Sequence, residues 1–199
     1  MHISEGVLST PVLIGGFVLC VAGTAIGLGR IKTEDIPKVA ILSSSFFVAS
    51  LVHVPLGPSS VHLILNGLIG LILGFAAFPA LLVGLFFQAV FFQFGGLSVL
   101  GVNTVNMALP GVVAYYLCSG MVRSSSRAFV VLGGAIAGAG AVAGAGVLVA
   151  VSLYLSNQAF SGAAKAILVA HVPIMIIEGI ITSVIISFIR RVKPELLEM

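Results

Sequence analysis

Long apolar runs separated by short charged connections constrain this chain more than any motif in it. A helix that crosses a bilayer needs about 20 apolar residues. Seven segments meet or approach that length: Pro11–Leu28, Ile36–Val54, Val61–Phe78, Pro79–Phe94, Thr104–Ser119, Ala128–Leu155 and Ala163–Ile189. The fourth is short, and Pro79 forces a break ahead of it. The last two are long enough to tilt or protrude. Backbone polar groups in hydrocarbon must be satisfied within the chain, so all seven runs are expected to be helices. Composition agrees. Charged residues make up 8% of the 199 and hydrophobic ones 59%, against about 25% charged in a soluble domain. The expected fold class is an all-α polytopic membrane protein with about seven transmembrane helices. It forms one domain: an N-terminal segment at 1–10, a helical bundle over 11–190 and a cytoplasmic tail at 191–199.

Orientation follows from the basic residues. With seven spans, Arg30, Lys32, Lys38, Arg123, Arg127, Arg190, Arg191 and Lys193 fall on one side, and Lys165 alone falls on the other. The positive-inside rule then puts the N-terminus outside and the C-terminus in the cytoplasm, as for a multi-pass protein of the cell (inner) membrane. The net charge of +3 marks that face and does not point to nucleic acid. No positively charged stretch precedes the first apolar run, so the N-terminus is expected to be retained, with Met1. Cys20 and Cys118 lie in apolar segments near opposite faces and read as small buried hydrophobes rather than a disulfide. Glycine and alanine crowd residues 134–146, where small residues at four-residue spacing let helices approach closely. They serve packing within the chain or a face that slides on a partner.

The polar residues converge on the outer side of this topology. His2 follows the initiator directly, so the Met1 amine, the His2 backbone nitrogen and the His2 imidazole Nδ1 can close fused five- and six-membered rings on one metal ion. Such a nearly planar set of nitrogens leaves one coplanar position and suits tetragonal Cu(II) or Ni(II). His53 and His62 flank the outer connection around Gly57-Pro58-Ser59-Ser60, and His171 lies near the outer start of the last span. The turn can carry the His62 imidazole over an outer cavity, which makes His62 the candidate for the missing donor. His53, which can bond to its own turn, is the weaker candidate ligand. Asn66 and Gly67 read either as support and close approach beside the site or as plain helix packing. Glu178 is the one acid deep within a span, a position that is functional or else neutralised by protonation or a neighbouring helix. His171 and Glu178 are two helical turns apart. With Asn103, Asn106 and Thr182 they can form a polar ladder orienting the ligands, with a kink at Pro173.

These residues resemble a known family. Met1-His2-Ile3-Ser4-Glu5-Gly6, the Ser59-Ser60-Val61-His62 turn, the Gly101-Val102-Asn103-Thr104-Val105-Asn106 stretch and the His171-x-Pro173-x-x-x-x-Glu178-Gly179-x-x-Thr182 run are similar to the CbiM/NikM family. Its members are the substrate-binding (S) membrane components of energy-coupling-factor (ECF) importers, a class of ABC transporter, for cobalt and nickel. The resemblance implies an N-terminus that dips into the bundle and a square-planar site made by Met1, His2 and His62. It implies Co²⁺ or Ni²⁺ as transported substrate, with no organic cofactor. It also implies a transmembrane coupling subunit, cytoplasmic ATPases and a small accessory membrane protein as partners. The His62 turn lacks the Ser-His-Pro-Thr of many cobalt members and does not match the Thr-Thr-x-His of nickel members. The extra segments of some nickel members are absent too, and the balance leans slightly to cobalt.

No Gly-x-x-x-x-Gly-Lys-Ser/Thr occurs, so ATP hydrolysis falls to a partner, and no His-Glu-x-x-His supports a metalloprotease. The expectation is therefore a transporter component and not an enzyme. The alternative is a self-sufficient secondary carrier or channel, which inverted repeats and several intramembrane acids would mark.

Overall fold

The computed structural model describes residues 2–51, 53–56 and 59–197, the stretch 53–56 by its backbone only. The chain is mostly helical, with α1 at Thr10–Leu28, α2 at Ile36–Ala49, α3 at Asn66–Leu73, α4 at Ala77–Phe92, α5 at Leu100–Val122, α6 at Arg127–Ser156, α7 at Ser161–Ala170 and α8 at Val172–Val192. A two-stranded antiparallel hairpin, β1 at His53–Leu56 and β2 at Ser59–His62, interrupts the helices and pairs the His53 backbone with His62. Among the described residues, five stretches are long and apolar enough to cross a membrane: Thr10–Leu28, Asn66–Phe92, Leu100–Val122, Arg127–Ser156 and Gln158–Val192.

Two of the expected helical runs are thus corrected. The second was expected to stay helical to Val54 and the third to begin at Val61, but α2 stops at Ala49, a hairpin follows, and α3 starts only at Asn66. Pro55 within β1 has no N–H to continue a helix and pushes its predecessor into extended backbone. The break expected at Pro79 falls earlier, at a 3-10 turn over Gly74–Ala76. Pro79 sits in the first turn of α4, where its missing N–H costs nothing. Gly74 makes the reversal, with φ +52° and ψ −126°, a conformation open mainly to glycine. The last run divides at His171 rather than only bending, with Pro173 in the first turn of α8. After Val192 a short turn folds back, burying Leu197, whose carbonyl accepts the Arg123 Nε–H at 3.1 Å.

The 27 residues of Asn66–Phe92 would make a straight helix about 40 Å long. Instead His2 touches both His62, ahead of α3, and Gln88, near the end of α4, so α3 and α4 run in opposite directions. Contacts sort to two ends of the bundle. At one end Arg30 lies 5.0 Å over the Phe75 ring, and Phe75 meets Tyr116. At the other, Gln88 meets Ser50, and the Ser9 amide donates to Ser156 Oγ at 3.1 Å.

Every residue of α3 is buried. This short helix is the centre around which α5, α6 and α8 pack, and small residues let it sit there. A methyl at Gly67 would overlap the Ala137 carbonyl, one at Gly70 the Gly111 carbonyl, and one at Gly138 the Glu178 carbonyl. Glycines of the small-residue stretch therefore serve packing within the chain at Gly134 and Gly138, while Gly140 faces open space. Gly70→Ala should cost about 1–3 kcal/mol by overpacking, read as a fall in melting temperature of the detergent-solubilised protein. Gly140→Ala should be neutral or mildly stabilising, because alanine is the better helix former by about 1 kcal/mol.

Candidate metal centre

Residues 2–6 form a strap that enters the bundle, and several of them have a definite place there. Ile3 is fully buried. Its N–H donates to Asn103 Oδ1 at 2.9 Å, and its carbonyl accepts the Asn103 Nδ2–H at 3.1 Å. One side-chain amide thus does what a neighbouring strand would do, while Ile3 also forms an antiparallel bridge with Ser59 at the start of β2. The Glu5 amide donates to the Gly95 carbonyl at 3.0 Å. The Glu5 carboxylate accepts the Ser98 amide at 2.9 Å, a bond that holds its carboxyl below the usual carboxylate range. Gly6 turns the chain toward α1 at φ +76°.

This strap buries the His2 imidazole against His62, with ring centroids 4.6 Å apart and planes inclined at 31°. Phe94 flanks His2 at 6.1 Å. The His62 Nδ1 lies 2.7 Å from the Leu63 carbonyl. A carbonyl only accepts, so Nδ1 carries the proton and Nε2 has the lone pair, the form a metal needs. Burial, reinforced by neighbouring His2, pushes His62 well below the usual histidine range, so its imidazole is neutral at physiological pH. On its other edge, His2 Nε2 lies 2.6 Å from Gln88 Oε1. Sequence reasoning passed over Gln88. Its signal was there, since it is the sole polar side chain between Pro79 and Phe92.

The other candidates support the backbone rather than one another. Glu178 Oε1 accepts the amides of Ile64 at 2.6 Å and Leu65 at 2.8 Å, the last two residues before α3. Asn66 Nδ2 donates to the carbonyls of Met107 at 3.0 Å and Ala141 at 3.2 Å, tying α3 to α5 and α6. Asn106 reaches Ser152 Oγ at 3.4 Å. His171 stands at the α7–α8 junction, its Nδ1–H donating to the Ile167 carbonyl at 2.6 Å. No direct contact joins His171 to Glu178 among the described residues, so the expected polar ladder is not a chain of mutual hydrogen bonds. Glu178 Oε2, Asn66 Oδ1, His171 Nε2 and Thr182 Oγ1 are buried without a hydrogen-bond partner among the described residues. Met1 and the His53 side chain lie outside them. The described residues hold no group of three His, Cys, Asp or Glu side chains suited to a metal ion; the two close imidazoles are His2 and His62.

Residues 2–196 match the family described as the cobalt uptake substrate-specific transmembrane region, CbiM. The chain belongs to the CbiM family. Among its relatives, a putative metal transport protein of Haemophilus influenzae is 44% identical over 201 residues, 99% of this chain and 97% of that protein. A fused nickel transport protein NikMN of Rhodobacter capsulatus is 29% identical over 222 residues, 99% of this chain and 64% of the longer relative. The crystal structure of a transition metal transporter superposes with a TM-score of 0.81 at 27% identity, covering 96% of this chain and 93% of that one. This CbiM-family protein is a multi-pass membrane protein of a transporter family, with its paired histidines at one end of the bundle.

The strap makes a prediction of its own. Asn103→Ala leaves the buried Ile3 N–H and carbonyl without their side-chain partner, a loss of about 1–3 kcal/mol for each unsatisfied group. The Ile3 amide should then exchange its hydrogen at least tenfold faster, while amides in the middle of α5 keep their protection. Unchanged exchange at Ile3 would show that the strap is held by other contacts.

Proposed function

We propose that this protein captures a divalent transition metal at the outer face of the cell membrane as the substrate-binding component of an energy-coupling-factor importer. Co²⁺ stands slightly ahead of Ni²⁺ as substrate. The ligands in this reading are the Met1 amine, the His2 backbone nitrogen and Nδ1, and the imidazole of His62. The observation that carries it is the pairing of the His2 and His62 rings at 4.6 Å, both buried beneath a strap that has no other evident reason to enter a membrane bundle. Four nitrogens in one plane suit a d-block ion of tetragonal preference and leave no equatorial position for a reacting water, in keeping with transport rather than catalysis.

The relatives named for cobalt and nickel transport support the choice of cargo. The fused NikMN relatives, longer than this chain, are in keeping with a second, accessory membrane part working beside it. A coupling subunit and ATPases supply the energy in this reading. Counting the α3–α4 reversal as two passes, with α1, α2, α5, α6 and the α7–α8 pair, gives seven. Eight of the nine Lys and Arg residues then lie on the side opposite His2, which supports an outer N-terminus and a cytoplasmic C-terminus. Reporter fusions after Lys38, Arg127 and Lys193 should all read cytoplasmic, and a periplasmic signal at Lys193 would reverse the orientation.

The chelate is tested at the N-terminus itself. Inserting one residue between Met1 and His2, or adding a tag ahead of Met1, should abolish tight Co²⁺ and Ni²⁺ binding in equilibrium titrations while the melting temperature barely changes. His62→Ala should also sharply weaken binding. Protons compete with the metal for an amine of pKa about 7.7–8.0 and an imidazole of about 6.5, so affinity should rise with pH through this range. Tight binding by the tagged protein would remove the terminal amine from the ligand set and overturn the chelate.

A further inference from the structure

Gln88 is fully buried within α4, in a run of four phenylalanines, Phe86, Phe87, Phe91 and Phe92, that stay largely exposed. A buried amide is costly unless its polar atoms are paired, and a leucine would pack in the same space without that demand. The neighbours of Gln88 fix which way its amide is turned. The Ser50 hydroxyl donates to the Phe46 carbonyl at 2.7 Å, so toward Gln88 it presents a lone pair. Gln88 Nε2 therefore donates to Ser50 Oγ, and also reaches the Phe47 carbonyl at 3.4 Å. Both neighbours accept, which turns the amide nitrogen toward α2 and the amide oxygen toward His2. An amide oxygen cannot donate, so the 2.6 Å contact with His2 Nε2 requires the proton on Nε2. The lone pair of the neutral ring then sits on Nδ1.

We infer that Gln88 is a positioning residue for metal capture: it selects the Nε2–H tautomer of His2 and so presents Nδ1 to the ion. Nδ1 is the nitrogen that can close a six-membered ring with the His2 backbone nitrogen, and the inference rests on the chelate proposed above. A ring held as the Nδ1–H tautomer must shed that proton before it binds. The hydrogen bond at Nε2 also fixes the ring plane and raises the basicity of Nδ1, as partners of metal-ligating histidines do elsewhere. The polarity is handed on from α2 through Ser50 and Gln88 to the first side chain after the initiator. Ser50, the residue that follows α2, thereby acquires a role at one remove from the metal.

The test uses the full chain with its native N-terminus and any purification tag at the C-terminus. Gln88→Leu removes the acceptor and should weaken Co²⁺ and Ni²⁺ binding about 10–100-fold, whereas Gln88→Glu keeps an acceptor for Nε2–H and should stay within about threefold of the wild type. A second readout needs no metal. In the ¹⁵N-histidine spectrum of the metal-free protein, with His2 assigned against His2→Gln, the wild type and Gln88→Glu should show His2 protonated at Nε2, and Gln88→Leu a mixture of tautomers. A purely structural Gln88 would alter neither the tautomer nor the difference between Leu and Glu. Wild-type His2 protonated at Nδ1, or wild-type affinity in Gln88→Leu, overturns the inference. The first of these holds even if the leucine variant does not fold. Tight binding by a protein tagged ahead of Met1 overturns the chelate, and the role of Gln88 with it. Loss of binding on tagging, with Gln88→Leu unaltered, overturns the role of Gln88 alone.

Discussion

The arrangement depends on one carboxylate. Glu178 Oε1 receives the amides of Ile64 and Leu65, which end the extended stretch leading from the hairpin to α3. Backbone N–H groups outside regular structure cannot be left unpaired in the interior of a membrane bundle. Without this acceptor, the chain could not leave the hairpin, pass His62 and start a helix among α5, α6 and α8. Leu65 takes φ +54° at this point, a left-handed conformation uncommon for a residue with a side chain. Fixing both flanking amides keeps it there. Gly138 lets the Glu178 backbone come against α6. In geometry, Glu178 fixes the backbone that leads from the hairpin into α3.

The second constraint is at the other end of the argument, the chain terminus. A terminal segment usually frays because nothing satisfies its backbone. Here Asn103 bonds both polar groups of Ile3, Glu5 bonds to Gly95 and Ser98, and Ile3 is fully buried. Gly96 has φ +122°, and a methyl there would collide with the Glu5 side chain. The motif Met-His-Ile-x-Glu-Gly therefore reads physically as a candidate ligand, a buried peg, a latch and a turn. Among the described residues 2–6, only the serine, which is exposed, has no such role.

Much of this was legible in the sequence. Apolar run length located the helices, and the spread of basic residues separated the two ends. The position of His2 suggests the proposed chelate from the sequence alone, and its ring does lie against that of His62. What could not be read were pairings set by tertiary contact. Runs such as Ile36–Val54 do not announce where a helix gives way to a hairpin, because Val and Leu suit both states. The Pro79 signal was real but misplaced the reversal, since proline is at home in a first helical turn while Gly74 carries the unusual dihedral. Asn66 and Gly67 were open between support of a ligand and helix packing, and their contacts with Met107, Ala141 and Ala137 belong to packing. Gln88 went unnoticed because one amide in an apolar helix shows its purpose only once a histidine 86 residues away lies against it.

The bundle divides its labour along its length. Around α3 the contacts are backbone against backbone through glycine, which leaves little room for adjustment because packed interiors do not deform continuously. At the histidine end, strap, hairpin and loop 93–99 are held mainly by discrete hydrogen bonds, several of them made by side chains to exposed or partly exposed backbone. Such contacts open locally at lower cost than a close-packed helix core. The histidine end is thus held by the bonds of Ile3, Glu5 and Gln88, above α3 and its close-packed neighbours. The chain joins a close-packed floor to a hydrogen-bonded strap, and the two meet at the paired imidazoles.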